Sequence, residues 1–287
     1  SKDCDWFREV FPIKELQDGL VDGVPELPSR PTIVVLDFAH DCISRNPQAA
    51  AAAINALRNS ACQVWLIDSL GSSALAPRVQ LSEGDVVVLP YAGANKVPGA
   101  PWDQIVGAEY AVLPSDCIAG RSSHLAESTN RILVTMGGAD PDGLSAPVLA
   151  QLRRLGIPCE IHVVVGPAFS PNLRRQLVEL SACDNQNVKL VQSPAGLVQE
   201  MAWCDIAVAG WGLTKYELAA SGTPSILVHM NEEQRLMNEP FVNRGCARAM
   251  SAKSIDFELN EAVSRILVDA NVRRAMSRAG INFVDGN

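Results

Sequence analysis

The sequence lacks the cysteine spacings that build metal sites. None of its eight cysteines forms a C-x-x-C pair, and none stands near a histidine pair of the kind that binds zinc. Several lie in or beside apolar runs, where thiols are usually buried. We therefore predict free cysteines in a reducing compartment, no disulfides, no metal site and no cofactor.

Long apolar runs are also missing. No stretch reaches 18 apolar residues and no basic-then-apolar segment opens the chain, so we predict neither a membrane-spanning segment nor an export signal. The net charge of −8 argues against a general binder of nucleic acid or anionic membranes, although backbone amides can still hold a small anion. We expect a soluble cytoplasmic protein, and the sequence leaves its oligomeric state open.

Familiar catalytic motifs are absent as well. The chain has no G-x-G-x-x-G, P-loop, G-x-S-x-G or H-E-x-x-H pattern, so dinucleotide, P-loop, serine-hydrolase and zinc-protease chemistry are unsupported. Of the four histidines, His162 is predicted to be structural and His124 solvated. His40 and His229 follow or end strands, where they can serve either a ligand or a turn. No catalytic residue is assigned from these positions.

The composition fits two α/β domains. The chain has 287 residues, of which 47% are hydrophobic and 20% charged, which is ordinary for globular proteins. A polar stretch without periodicity, SSHLAESTN, indicates a boundary between an N-terminal domain, residues 1–125, and a C-terminal domain, residues 126–287.

The first domain shows three apolar runs that predict strands of a parallel sheet. They are residues 32–37, 63–68 and 86–89, and an alanine-rich helix is predicted over residues 47–59. Asp37 and Asp68 end two of these strands at the edge where open α/β sheets bind ligands. Alternatively, both aspartates cap the turns that follow.

The second domain alternates strands and helices, which predicts a doubly wound parallel sheet. Its predicted strands are residues 131–136, 160–165, 188–192, 206–209 and 225–228. Its predicted helices are residues 145–155, 172–181, 195–203, 214–221, 255–268 and 271–279, with a further helix after residue 229.

Residues 205–238 form the best-specified unit. Gly210 and Gly212 turn the chain out of a strand, and Gly222 stops the following helix as a glycine in the left-handed conformation. Thr214 and Glu217 stand three residues apart at the helix start, which predicts a capping box.

Such a turn is suited to phosphate, because glycines admit a ligand to the backbone and the first helical turn carries unpaired N–H groups. Glu217 can then accept hydrogen bonds from ribose hydroxyls, and Gln234 and Asn238 can reach a sugar from the next helix. Gly137 and Gly138 form a second candidate cradle. In the alternative interpretation Glu217 only closes the capping box, the glycines only turn the chain, and Gln234 and Asn238 are solvated.

Two segments, RILVTMGGADPDGLS and DIAVAGWGLTKYELAASGTPSILVHMNEEQ followed by Asn238, resemble the nucleotide-sugar-binding domain of GT-B proteins. The pattern is similar to the peptidoglycan UDP-N-acetylglucosamine transferase group. It is more similar to the UDP-2,4-diacetamido-2,4,6-trideoxy-β-L-altropyranose hydrolase of pseudaminic acid synthesis and its spore-coat polysaccharide relatives. In the first half, TIVVLDFAHD, QVWLIDSL and GAEYAVLPSDCIAGR resemble the same hydrolase family.

The resemblance implies two Rossmann-like domains facing a cleft that holds a UDP-sugar. It assigns the ribose contact to Glu217 and the diphosphate to amides of the Gly210–Thr214 turn. The implied nucleotide or sugar contacts are Gly137, Gly138, Asp140, Gly210, Gly212, Leu213, Thr214, Glu217, Gln234 and Asn238. The implied reaction is attack on the anomeric carbon, by water in the hydrolase or by a sugar hydroxyl in the transferases.

One family feature is missing from the sequence. The G-x-G-H-x-x-R segment that supplies the hydrolase family's catalytic histidine does not occur in these residues. We expect that the first strands of the N-terminal domain precede Ser1, and the alternative is a homologue that has lost or relocated the base. The functional alternatives are therefore a UDP-sugar hydrolase, a glycosyltransferase of the same fold, and a non-catalytic nucleotide-sugar-binding protein.

Overall fold

The computed structural model describes residues 33–37, 52, 55, 63–67, 81–118, 130–182, 187–192 and 196–285. The chain divides into two compact units, Ser1–Gly107 and Ala108–Asn287. The boundary predicted between residues 125 and 126 lies outside the described residues, as do His40, Asp68 and His124. The ligand or turn roles suggested for these three residues stay predictions.

The first unit contains a parallel sheet of four described strands in the order β1-β2-β3-β4. These are β1 (Ile33–Asp37), β2 (Gln63–Ile67), β3 (Val86–Leu89) and β4 (Asp103–Val106). Val64, Leu66, Val87 and Leu89 form its buried core. The sequence predicted β1 to β3 but missed β4. Of the predicted alanine-rich helix, the two described positions, residues 52 and 55, are helical.

The second unit is built on a six-stranded parallel sheet in the order β10-β9-β8-β5-β6-β7. Its strands are β5 (Arg131–Thr135), β6 (Glu160–Val165), β7 (Asn187–Gln192), β8 (Ile206–Gly210), β9 (Ser225–His229) and β10 (Ala247–Ser251). Its helices are α1 (Ser145–Leu152), α2 (Pro171–Ser181), α3 (Val198–Trp203), α4 (Thr214–Ser221), α5 (Glu232–Asn243), α6 (Ile255–Val268) and α7 (Ala270–Phe283).

The central strands of this sheet are almost continuously apolar because helices cover both faces. Ile132, Val163, Val208 and Ile226 are fully buried in one core with side chains from α1, α2 and α6. Such unbroken apolar runs are typical of parallel sheets that have no solvent-facing side. The predicted α/β class with parallel sheets is therefore confirmed.

The helix ends differ from the predictions in three places. The first helix of this unit ends at Leu152 rather than residue 155, and the last extends to Phe283 rather than residue 279. The third difference is the start of α3, which lies at Val198 rather than at the predicted residue 195. Residues 193–195 are outside the described part of the chain. Four described cysteines, Cys117, Cys159, Cys204 and Cys246, are buried free thiols. None of the helices the structure describes is both long and apolar enough to cross a membrane.

Candidate functional site

The strand order of the second unit reverses beside β5. From β5 the chain proceeds to β6 and β7 on one side, then returns to build β8, β9 and β10 on the other. Neighbouring strands β5 and β8 therefore send their chains away in opposite directions at the carboxyl edge. Such a topological switch point leaves a crevice, and ligands of open α/β sheets bind there. The two predicted glycine turns leave these same two strands.

The turns lie side by side. A Cβ atom at Gly210, the last residue of β8, would sit 3.7 Å from the Cα of Met136, which follows β5. The sheet register agrees, since Thr135 pairs with Ala209. The structure thus brings together the two glycine turns, at Gly137 and at Gly210, that were predicted separately as phosphate-binding sites.

The turn after β5 presents open backbone. Gly137 adopts a φ of 81°, which favours glycine, and a Cβ at Gly137 or Gly138 would meet no atom within 4 Å. The opposite side of Gly138 is tightly braced, because its carbonyl oxygen accepts a 3.0 Å hydrogen bond from the amide of Ala168. A ligand can therefore approach the open side of this turn, while the hydrogen bond from Ala168 fixes the turn on its other side.

Asp140 caps a helix. It has a φ of 41°, is 5% exposed, and its two carboxylate oxygens each accept a 2.8 Å hydrogen bond, from the amides of Leu144 and Ser145. The carboxylate thus satisfies the start of α1, where an anion would otherwise be favoured. A direct contact of Asp140 with nucleotide or sugar stays a prediction.

The start of α4 differs from the predicted capping box, which is wrong. Leu213 precedes the helix with helical angles, φ −62° and ψ −27°, and makes no side-chain capping bond. Thr214 is consequently already the first helical residue, so its hydroxyl is not placed to accept an amide of the first turn. No side chain caps this helix start, but the amides of Lys215 and Tyr216 already donate to the carbonyls of Gly212 and Leu213 at 3.4 and 2.9 Å. An anion would therefore use the amides that precede Lys215. The predicted end is confirmed, since Gly222 has a φ of 75° and Thr223 donates to the Leu218 carbonyl at 2.8 Å.

Glu217 lies one turn into α4 and is half-buried. A short 3-10 turn, Ser115–Ile118, packs against this helix. Burial raises the pKa of Glu217, and the negative charge of Asp116 raises it further. The pKa of the Cys117 thiol is raised to about 12 by burial and then by Glu217 and Asp116, so this thiol stays neutral.

The 3-10 turn was not recognised as part of the site from the sequence. Its residues, SDCI, lie in the GAEYAVLPSDCIAGR segment, for which the sequence showed only a family resemblance. A short loop has no hydrophobic periodicity that would indicate which element it packs against. The structure therefore adds Asp116 and Cys117 to the surroundings of Glu217.

Gln234 takes part in a pair of hydrogen bonds at the start of α5 that resembles a capping box. The Asn231 side chain accepts a 2.9 Å bond from the Gln234 amide, and the Gln234 side-chain oxygen accepts a 2.7 Å bond from the Met230 amide. The first bond satisfies an amide of the first turn of α5. The second reaches the residue before the cap, one residue earlier than in a regular capping box. The side-chain NH₂ of Gln234 is a further donor for a ligand.

Asn238 is not solvated. It is 0% exposed, and neither its side-chain oxygen nor its nitrogen finds a hydrogen-bond partner among the described residues. The alternative interpretation of a solvent-facing side chain is thus wrong for this residue. Buried polar atoms without partners are infrequent in folded proteins.

His229 ends β9 at the same edge of the sheet. Its Nδ1 is buried without a hydrogen-bond partner among the described residues, and burial and then Arg235 lower its pKa, against the smaller opposing effect of Glu232. The ring is therefore neutral at pH 7. His162 is structural, as predicted: its Nδ1 lies 2.5 Å from an oxygen of Glu200 and its ring stacks at 3.5 Å on Trp203.

Exposed apolar side chains follow the ends of β8 and β9. Trp211 is 38% exposed, Leu213 67% and Met230 40%; the first two lie in the turn after β8 and the third directly follows β9. Aromatic and aliphatic surface beside polar amides is typical of small-molecule sites. Among the described residues, no three His, Cys, Asp or Glu side chains meet in a group able to hold a metal ion.

Comparison of the fold with solved structures identifies its architecture. Over 82% of this chain and 67% of the other, it is similar to MurG of Acinetobacter baumannii, with a TM-score of 0.60 at 13% identity. The fold is GT-B-like. Over 89% of this chain and 72% of the other, it is also similar to MnaA of Staphylococcus aureus in its co-structure with UDP, with a TM-score of 0.57 at 12% identity.

Sequence comparison finds two relatives, each over only part of this chain. The spore coat polysaccharide biosynthesis protein SpsG of Bacillus subtilis is 25% identical over 184 residues, which is 63% of this chain and 54% of that protein. An uncharacterized protein of Methanocaldococcus jannaschii is 26% identical over 144 residues, 48% of this chain and 29% of that protein. The chain thus spans between about a third and about half of the curated relatives it matches. No protein-family model matches it.

Proposed function

We propose that this chain binds a UDP-sugar and takes part in hydrolysing the bond between the diphosphate and the anomeric carbon, in the synthesis of a cell-surface polysaccharide or nonulosonic acid. The observation that carries the proposal is the pair of open glycine turns at the topological switch point, next to a helix start without a side-chain cap. The similar fold of the S. aureus protein solved with UDP supports the choice of nucleotide.

The diphosphate is assigned to the backbone amides of the turn between Gly210 and Thr214, which ends at the first residue of α4. Partial positive charge at a helix start favours phosphate and also stabilises the negative charge that develops on a leaving diphosphate. Gly137 and Gly138 complete this seat from the neighbouring strand, since their exposed side has no atom within 4 Å of an added Cβ.

Glu217 is assigned to the ribose hydroxyls. It is one turn from the proposed phosphate seat on the same helix, a spacing of about 5 Å along the axis. A carboxylate accepts two hydroxyl hydrogen bonds, and charge-assisted bonds of this kind are stronger than neutral ones. The raised pKa of Glu217 makes these bonds sensitive to acid.

The sugar is assigned to α5. Gln234 offers an NH₂ group on this helix, and the Asn238 amide, which has no hydrogen-bond partner among the described residues, is assigned to the sugar with it. Trp211 and Met230, both partly exposed, supply apolar surface for the flat faces of a sugar ring or base. This division places nucleotide contacts on α4 and sugar contacts on α5.

Transfer to a sugar hydroxyl is the second candidate reaction, and the similar fold of the pneumococcal O-GlcNAc transferase GtfA, solved with UDP and GlcNAc, supports it. A non-catalytic nucleotide-sugar-binding protein is the third, and it is favoured if the full-length protein also lacks the G-x-G-H-x-x-R segment that these residues do not contain. These alternatives share the binding site and differ in what attacks the anomeric carbon.

Calorimetric titration of the chain with UDP, CMP and dTDP tests the binding site. We expect selective UDP binding that Glu217→Gln weakens, with Glu261→Gln, an exposed glutamate on α6, as the matched control. Equal binding of all three nucleotides, or of none, would contradict the assignment of this site to UDP.

Phosphorus NMR then distinguishes hydrolysis, transfer and non-catalytic binding, with UDP-N-acetylglucosamine as the probe sugar nucleotide. Release of UDP in water alone supports hydrolysis, and release only when an acceptor sugar is added supports transfer. Tight binding without release under either condition supports the non-catalytic alternative and would overturn the hydrolase proposal.

A further inference from the structure

Lys215 is an unexpected side chain inside the second unit. It follows Thr214 on the first turn of α4, yet it is only 3% exposed. Its Nζ donates a 3.0 Å hydrogen bond to the carbonyl oxygen of Met237 on α5. The ammonium also lies 5.6 Å from the ring centre of Tyr216 and 5.4 Å from that of Phe241.

Packing alone does not account for a lysine here. Burying an ammonium is unfavourable unless its charge is compensated, and desolvation lowers the pKa of Lys215 to about 8. Methionine has nearly the same length and volume without the charge. Tyr216 and Phe241 already join the two helices through an edge-to-face contact of 4.9 Å. The lysine therefore adds a hydrogen bond with a defined direction to a contact between α4 and α5 that already has apolar packing.

The link lies next to the sugar-binding residues. Met237, its acceptor, immediately precedes Asn238, which faces the same side of α5 as Phe241 and is completely buried. Gln234 lies one turn earlier and is tied to the start of α5. A shift of α5 relative to α4 would therefore move both residues away from the nucleotide turn.

We propose that Lys215 is a positioning residue that holds α5 at a fixed distance from the start of α4. By doing so it aligns Gln234 and Asn238 with the sugar while the turn beside it holds the diphosphate. This inference rests on the proposed function and adds to it a residue that selects between the nucleotide and the complete nucleotide-sugar.

The test compares UDP with UDP-N-acetylglucosamine in calorimetric titrations of wild type, Lys215→Met, Lys215→Gln and the control Lys189→Met. Lys189 is an exposed lysine on β7. We expect Lys215→Met to bind UDP within about twofold of wild type but UDP-N-acetylglucosamine about tenfold more weakly, as expected for a lost charge-assisted bond. Lys215→Gln, which keeps a donor, should recover part of the difference.

Equal affinities of wild type and Lys215→Met for the sugar nucleotide would overturn the proposal. An equal loss for both ligands would also overturn it, because a general structural or electrostatic role weakens UDP as well.

Crystal structures of the ligand-free wild type and Lys215→Met keep the test independent of the proposed function. In Lys215→Met, α5 should be displaced relative to α4 while α6 keeps its position on the sheet, because a buried polar link fixes a geometry even where it does not add stability. If wild type binds neither ligand, the proposed function fails, and an undisplaced α5 would separately refute the positioning role.

Discussion

A Cβ atom placed on Gly166 would lie 2.3 Å from the carbonyl oxygen of Gly138. The two glycines belong to the turns after β6 and β5, so this contact sets how closely the two turns approach. Gly138 presents its opposite side to open space. One glycine is therefore required by the fold, and the other is available to a ligand.

Gly166→Ala should destabilise the protein by about 1 to 3 kcal/mol, because the clash is with backbone that cannot rotate away. Denaturant unfolding measures this change. Gly138→Ala is the matched variant: its methyl group meets no protein atom within 4 Å, so unfolding should change by less than about 1 kcal/mol. Its affinity for UDP should nevertheless fall at least about tenfold. Similar effects of the two variants on stability would contradict this assignment.

Glu217→Ala should weaken UDP binding by about 1 to 3 kcal/mol through the loss of charge-assisted bonds to ribose. Calorimetry measures the change. Because Glu217 does not close a capping box in the structure, the variant should not show the loss of stability that removal of a cap produces. Unchanged UDP affinity in a folded variant would exclude the ribose contact.

Trp211→Ala should weaken UDP-N-acetylglucosamine binding by about 1 kcal/mol, since an exposed aromatic ring adds contact area to a sugar or base. Its partial exposure predicts little effect on unfolding. Val178→Ala on α2, another exposed apolar residue, is the control for surface truncation. If both variants bind alike, Trp211 does not line the site.

Lys215→Met should make the protein more stable than wild type at pH 7. The folded-state pKa of Lys215 falls from 10.5 to about 8, which corresponds to about 3 kcal/mol of unfavourable burial when the group is charged. The lost bond to Met237 offsets part of that gain.

The difference depends on pH in a defined direction. Below pH 8 both folded and unfolded states hold the proton, and the full penalty applies. Between pH 8 and 10.5 the unfolded state binds more protons, so wild-type stability rises relative to Lys215→Met. Denaturant unfolding at pH 7, 8.5 and 10 measures this trend. A constant difference at all three values would show that Lys215 is not buried as a charged group.

The sequence determined the regular elements where local signals are strong. The predicted bounds of α4, residues 214–221, match the structure. The end follows from Gly222, whereas the start was predicted from a capping box that the structure does not contain. The buried strands β5, β6, β8 and β9 were predicted within about one residue, because continuous apolar runs between turns leave few alternatives. Sequence resemblance also anticipated the GT-B-like fold.

The missed strands are both at edges. β4 and β10 each pair with one neighbour, and both carry polar residues, such as Asp103 in β4 and Arg248 in β10. An edge strand is covered less completely than a central one, so its sequence need not be apolar throughout. Local patterning therefore gave no signal for either strand.

Only the tertiary structure decided how the candidate site is assembled. Strand order placed β5 beside β8 and so joined two glycine turns that are more than 70 residues apart in the chain. Contacts between distant segments also brought Asp116 to Glu217, buried Asn238, and buried Lys215 against the Met237 carbonyl of α5. These relationships depend on contacts between distant segments, whereas turns, caps and periodicity report only on neighbours along the chain.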